Sequence, residues 1–154
     1  MTAAIAVNPF DWRTVVFAKH AQHVVLIHFP IALYVVGVAL DFAGLWLKRL
    51  QLAEAAYYNF SLAAAFAIPA AATGLMAWQW QLEGQKLKGI LLEHLVAGLT
   101  AAAGIVVTWL VLFEARRKKQ AAPPVRFLLE AAGMTAVIVA GHLGGFVSGV
   151  NGSN

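Results

Sequence analysis

Four apolar stretches, each long enough to cross a lipid bilayer, dominate the chain and leave it few ways to fold. Val24 to Leu47, Ala55 to Trp78, Ile90 to Phe113 and Phe127 to Val150 each run for 24 residues, against the roughly 20 needed to span about 30 Å of hydrocarbon. Within them the only charges are Asp41, Glu93 and Glu130. None therefore has the broad polar face that a helix of a soluble bundle shows to water. With 61% hydrophobic and 12% charged residues, the chain falls well short of the roughly 25% charge typical of soluble domains.

The connections Lys48 to Glu54, Gln79 to Gly89 and Glu114 to Arg126 are short, and the last contains Pro123 and Pro124. Short loops between spans make neighbours antiparallel. The expected fold is all-α: an integral-membrane, up-down four-helix bundle over residues 23–150, preceded by an interfacial segment (1–22) and followed by a short tail (151–154). Asn8 and Pro9 suit a helix start. Phe10, Trp12, Val15, Val16 and Phe17, mixed with Arg13 and Lys19, predict a short helix lying in the membrane interface. The segment lacks the basic start and small-residue cleavage site of a removable signal peptide.

Basic residues divide unevenly. Lys48, Arg49, Arg116, Arg117, Lys118, Lys119 and Arg126 share one side, against Arg13, Lys19, Lys86 and Lys88 on the other. The positive-inside rule then puts both termini outside the cytoplasm, and Trp46, Trp78 and Trp80 fall where interfacial aromatics are expected. These cations cluster beside apolar spans, so the net charge of +4 reads as membrane flanking and not as a nucleic-acid surface. With no cysteine, disulfides, thiolate metal sites, iron–sulfur clusters and covalently attached c-type haem are excluded.

All five histidines, His20, His23, His28, His94 and His142, belong to the outer side of this topology. His28, His94 and His142 share one layer, roughly 6 to 12 Å below the boundary at 1.5 Å per residue. Imidazole is costly in hydrocarbon unless it pairs or ligates, and a layer of imidazoles inside a bundle suits haem or a transition metal. Gly98 lies one turn from His94, and Gly141, Gly144 and Gly145 surround His142, giving room for a ring edge. In an up-down bundle the first and third helices are diagonal, so His28 and His94 are the expected pair for one b-type haem. His142 is the third candidate, as an alternative ligand, a propionate partner, or a second centre with His23. His23 and His28 are five apart, about 140° around a helix, and cannot both face one metal. A copper or zinc site of His28, His94 and His142 is the remaining metal reading, with Glu93 pointing elsewhere.

Asp41 is the acid deepest in a span, with Tyr58, Asn59 and Thr108 at comparable depth, and is expected to tie helices one, two and three together, with proton transfer as the alternative role. Glu130 is expected to pair with Arg126 at the interface. Ala63, Ala67 and Ala71, and Gly141, Gly145 and Gly149, recur at helix-packing spacing. Pro30 and Pro69 are expected to kink their helices. No nucleophile elbow, phosphate loop or paired acid and base is present.

His23 with His28-Phe29-Pro30-Ile31-Ala32-Leu33 and Asp41, the run Ile68-Pro69-Ala70-Ala71-Ala72-Thr73-Gly74-Leu75 ending at Trp78, His94, and Gly141-His142-Leu143-Gly144-Gly145 resemble the bacterial membrane family known as domain of unknown function 2231. The resemblance implies a four-helix membrane domain, sometimes found near or fused to cytochrome c modules, with a redox role. Its pattern has proline where this chain has Val24 and a further histidine where this chain has Gly149, which leaves one haem resting on His28, His94 and His142.

The function expected first is a b-type cytochrome-like subunit of a bacterial inner membrane. It would pass electrons between a quinone or another membrane subunit and a periplasmic cytochrome, as an accessory and not a stand-alone enzyme. The alternatives are a structural subunit of a respiratory or photosynthetic complex, cofactor-free or binding chlorophyll magnesium, and the copper or zinc site.

Overall fold

The computed structural model describes residues 21–81 and 86–149, which form four helices: α1 (Ala21–Trp46), α2 (Leu50–Gln81), α3 (Gly89–Arg117) and α4 (Val125–Val147). All four are long and apolar enough to cross a membrane, and no strand occurs among the described residues. The chain is an all-α membrane bundle. The expected interfacial helix, His20 and the tail 151–154 lie outside the described residues.

The helices overrun the apolar windows at the polar ends. α2, expected from Ala55 to Trp78, starts at Leu50 and ends at Gln81, a run of 32 residues, about 48 Å at 1.5 Å per residue. Hydropathy marks only the hydrocarbon layer; the backbone has no reason to unwind in the headgroup region, where polar side chains such as Gln51 and Glu54 are solvated. α3 likewise runs on to Arg117, and Arg116 and Arg117 occupy its last turn, where cations face the negative end of the helix dipole.

Only three residues separate α1 from α2. The turn closes through Lys48 in the left-handed region (φ 52°), with the Arg49 amide donating to the Gly44 carbonyl at 3.0 Å. A Cβ on Gly44 would stand 2.9 Å from the Ala53 backbone nitrogen, so glycine is what lets α2 fold back this closely. α3 ends the same way, on Lys119 at φ 54°, with the Gln120 amide donating to the Ala115 carbonyl at 2.9 Å. Gly149, at φ 78°, follows the Ser148 cap where α4 ends; a Cβ there would meet nothing within 4 Å, so it is not on a packing face as expected.

The bundle is two tight hairpins, α1–α2 and α3–α4, joined along α2 and α3, while α1 and α4 barely touch. In the first hairpin Phe60 closes over Gly37, where an added Cβ would lie 3.0 Å from its ring, and Ala63, Ala64 and Ala67 are buried. In the second, Gly104 and Gly133 bring the two backbones together, a Cβ on Gly104 lying 3.3 Å from the Gly133 Cα. Tyr34 crosses from α1 to seat its hydroxyl against Gly133. There it shares a hydrogen bond with the Thr108 hydroxyl at 3.2 Å and donates toward the Leu129 carbonyl at 3.3 Å.

Inward-facing positions repeat every three or four residues along each helix. On α1 they are Pro30, Tyr34, Gly37, Asp41 and Gly44; on α3, Ala101, Ile105, Thr108, Leu112 and Ala115. These stripes meet along the bundle axis.

Candidate functional site

Carried backward by the same spacing, the α1 stripe passes Ile27 and reaches His23, and the α3 stripe passes Gly98 and reaches His94. Both histidines thereby line a cavity of about 400 Å³ at the end of the bundle that carries Ala21 and Gly149, walled by all four helices. The volume lies within the range of small-molecule sites, roughly 300 to 1,000 Å³. Ile27, Ile31, Leu95, Ile105 and Val137 contribute apolar walls.

Each hairpin seats one imidazole in the same manner. His94 Nδ1–H donates to the Ala140 carbonyl of α4 at 3.1 Å; since a carbonyl can only accept, the lone pair is left on Nε2. His23 Nδ1 lies 3.2 Å from the Thr73 hydroxyl on α2. That hydroxyl spends its one hydrogen on the Pro69 carbonyl at 2.8 Å, with the Ala70 carbonyl at 3.0 Å. It therefore accepts from His23 Nδ1–H, and here too Nε2 keeps the lone pair. An imidazole whose Nδ1–H is held by a protein acceptor is fixed in tautomer and ring orientation as a metal ligand is. Glycine makes room for both rings. A Cβ on Gly74 would stand 2.9 Å from His23 Cε1, and one on Gly144 would stand 3.1 Å from His94 Cε1.

The other expected ligands are placed elsewhere. His28 is exposed on the outside of the bundle, its Nδ1 bonded to the Val24 carbonyl one turn back at 2.5 Å. The 140° that separates it from His23 turns it away once His23 faces in. His142 is exposed, stands edge-on to the Phe146 ring with centroids 5.1 Å apart, and does not line the cavity. Of the expected layer of His28, His94 and His142, only His94 lines the cavity. Among the described residues no three His, Cys, Asp or Glu come together as a metal-binding group.

The glycines expected near the site are present with altered roles. Gly98, Gly141, Gly144 and Gly145 all line the cavity, and a Cβ on Gly98 or Gly141 would meet nothing within 4 Å. Gly141 is therefore not a packing contact, as its spacing suggested, but an open wall. The alanine face of α2 divides similarly: Ala63 packs in the core, Ala67 belongs to both the core and the cavity wall, and Ala71 lines the cavity.

At the opposite end of the bundle, the expected partners of the acids are exchanged. Arg126 Nε donates to Asp41 Oδ2 at 2.7 Å, with side-chain exposures of 14% and 8%. The pair ties α1 to α4, beside the Phe42 and Phe127 rings at 5.3 Å. Asn59 bonds instead to its own helix at Ala55, and Thr108 meets Tyr34. Glu130, expected at the interface with Arg126, is fully buried; no donor reaches either of its carboxyl oxygens, and the Asp41 carboxyl stands within hydrogen-bonding reach. Loop placement hid this: Arg126 follows Pro123 and Pro124 and reads as a flanking cation, yet it occupies the first turn of α4 and reaches inward.

No curated protein and no solved structure matches the chain. One family does, described as predicted membrane protein (DUF2231), and its profile covers residues 19–152, from just before His23 to beyond the glycines of α4; by a match over nearly its whole length, the chain belongs to that family.

Proposed function

We propose that the protein is a membrane-integral b-type cytochrome-like electron-transfer subunit, with haem held between His23 and His94 in the cavity. One observation carries this reading: two imidazoles from different hairpins line one apolar cavity, and each has its Nδ1–H tied to a protein acceptor and its Nε2 lone pair unspent. The residues fit the group. Neutral imidazoles are the usual axial ligands of b-type haem, the walls are apolar, and Gly98 and Gly141 leave open space where a side chain would intrude. Bound there, haem supplies reversible one-electron chemistry. His23 and His94 would both hold the group, leaving no place for a substrate at the iron, which would favour electron transfer.

The cavity's place at the less basic end supports a partner on the outer face. With the basic loops in the cytoplasm, the site lies near the periplasmic surface of a bacterial inner membrane, suited to exchange with a periplasmic cytochrome and with a quinone or another membrane subunit. The decisive measurement is a reduced-minus-oxidised spectrum of the purified protein. Low-spin bis-imidazole haem b is expected in the wild type, lost in His23→Ala and in His94→Ala, and kept in His28→Ala and His142→Ala. Purified protein without haem, indifferent to all four substitutions, would leave the structural-subunit reading in its place.

A further inference from the structure

Glu130 on α4 is completely buried; no donor reaches either of its carboxyl oxygens, and the carboxyl within hydrogen-bonding reach of it, that of Asp41, can bond to it only through a shared proton. Asp41 faces it from α1, Arg126 lies one turn before it on its own helix, and Tyr34 of α1 bonds toward its backbone carbonyl at 3.4 Å. α3 contributes the uncharged Thr108 hydroxyl, bonded to Tyr34. The one cation of the group is committed elsewhere: Arg126 Nε donates to Asp41 and Nη1 to the Ala122 carbonyl at 3.0 Å. Two carboxyl groups thus face one guanidinium, and only Asp41 is neutralised by it. An ionised Glu130 would be a bare charge inside a membrane protein, which is prohibitively costly. A hard metal cation would require about six oxygen ligands; a proton requires one.

We infer that Glu130 is a proton-binding site, resting as a neutral carboxylic acid, and that Arg126 can pass from Asp41 to Glu130 in exchange for that proton. In the resting arrangement Arg126 and Asp41 are charged and Glu130 holds the proton. In the other, the O–H bond of Glu130 breaks, its carboxylate takes the guanidinium, and Asp41, now without its cation, forms the O–H bond. The cluster carries one positive and one negative charge in both arrangements, so the exchange costs no net charge in the membrane. Exposure falls from 14% at Arg126 to 8% at Asp41 and to zero at Glu130, which makes the basic end of the bundle the side from which protons arrive. The inference is independent of haem in the cavity at the other end.

Infrared spectroscopy of the purified protein in lipid nanodiscs at pH 7 tests it. A solvated glutamate, with a pKa of about 4.3, is ionised there, so the carbonyl stretch of a protonated acid reports a buried one. Isotopic labelling of glutamate with carbon-13 should shift this band in the wild type, which separates Glu130 from Asp41. Glu130→Gln should abolish it and Glu93→Gln should leave it, the second variant serving as the assignment if the first does not fold. Asp41→Asn is the sharper variant: with its usual partner gone, Arg126 turns to Glu130, which ionises, and the band is lost. No glutamate-derived band in the wild type, or its loss in Glu93→Gln alone, overturns the proton site. A band that survives in folded Asp41→Asn overturns the exchange.

Discussion

At the residue scale the cavity is defined by what glycine omits. Gly74→Ala would place a methyl 2.9 Å from His23 Cε1, and Gly144→Ala one 3.1 Å from His94 Cε1. The first is closer than side chains tolerate and must turn the ring off its Thr73 hydrogen bond; the second asks only a small shift. Haem retained after purification should therefore fall more in Gly74→Ala than in Gly144→Ala, read from the haem-to-protein absorbance ratio. Gly98→Leu has open space before it, so the fold should hold while the cavity fills, giving normal circular dichroism without haem. Which histidines face the cavity was legible in the sequence, through the stripe and not through depth. His23, Ile27, Pro30, Tyr34, Gly37 and Asp41 are spaced four, three, four, three and four apart, and His28 is off that line. Depth selected His28 because it stands inside the apolar window; facing direction is what a ligand needs. Thr73 stands in the motif run of α2 with nothing there to tie it to His23, and the Ala140 carbonyl carries no sequence signal, since a backbone acceptor becomes visible only once α3 lies against α4.

At the scale of elements, the windows disclosed the helices and their order, because a bilayer leaves a 24-residue apolar run no other regular structure. They did not disclose which helices touch. The hairpins are tight where Gly37, Gly44, Gly104 and Gly133 admit a neighbour, and α1 meets α4 sparingly, through Asp41 and Arg126 at one end and through Tyr34 at Gly133. Removing the cation should be worse than neutralising its partner. Arg126→Ala leaves two buried acids with no positive charge, in the class of broken buried ion pairs that cost about 3 to 5 kcal/mol. Asp41→Asn keeps a cation for Glu130 and should cost roughly 1 kcal/mol, as intramembrane hydrogen bonds do. Denaturation in mixed micelles followed by circular dichroism gives the order; equal costs would mean that Glu130 does not share the guanidinium. Gly133→Ala should destabilise by about 1 to 3 kcal/mol through overpacking against Tyr34, and Tyr34→Phe should restore part of that loss by removing the hydroxyl seated in the notch. The turns offer the opposite sign. Lys119 holds φ at 54°, where a side chain costs roughly 1 to 2 kcal/mol, so Lys119→Gly should raise the unfolding midpoint.

For the whole molecule, one bundle has two unlike ends. One end holds two imidazoles and an apolar cavity; the other carries the Asp41–Arg126 ion pair, a buried acid and six further flanking cations. If the proposed haem and the inferred proton site both operate, electrons leave from one face and protons arrive from the opposite one, and the orientation of the chain decides which compartment each meets. The basic count, seven against four, puts the proton side in the cytoplasm, and the absence of cysteine makes orientation directly measurable on an otherwise silent background. A single cysteine at Lys119, in the loop after α3, should be blocked from a membrane-impermeant maleimide in intact cells and labelled after lysis. A cysteine replacing Ser148, just beyond α4, should be labelled in intact cells. Exchange of the two patterns would turn the cavity toward the cytoplasm and remove the periplasmic cytochrome as a partner, leaving the ligand geometry untouched, because the imidazole seats depend on how the hairpins pack and not on which way the bundle points.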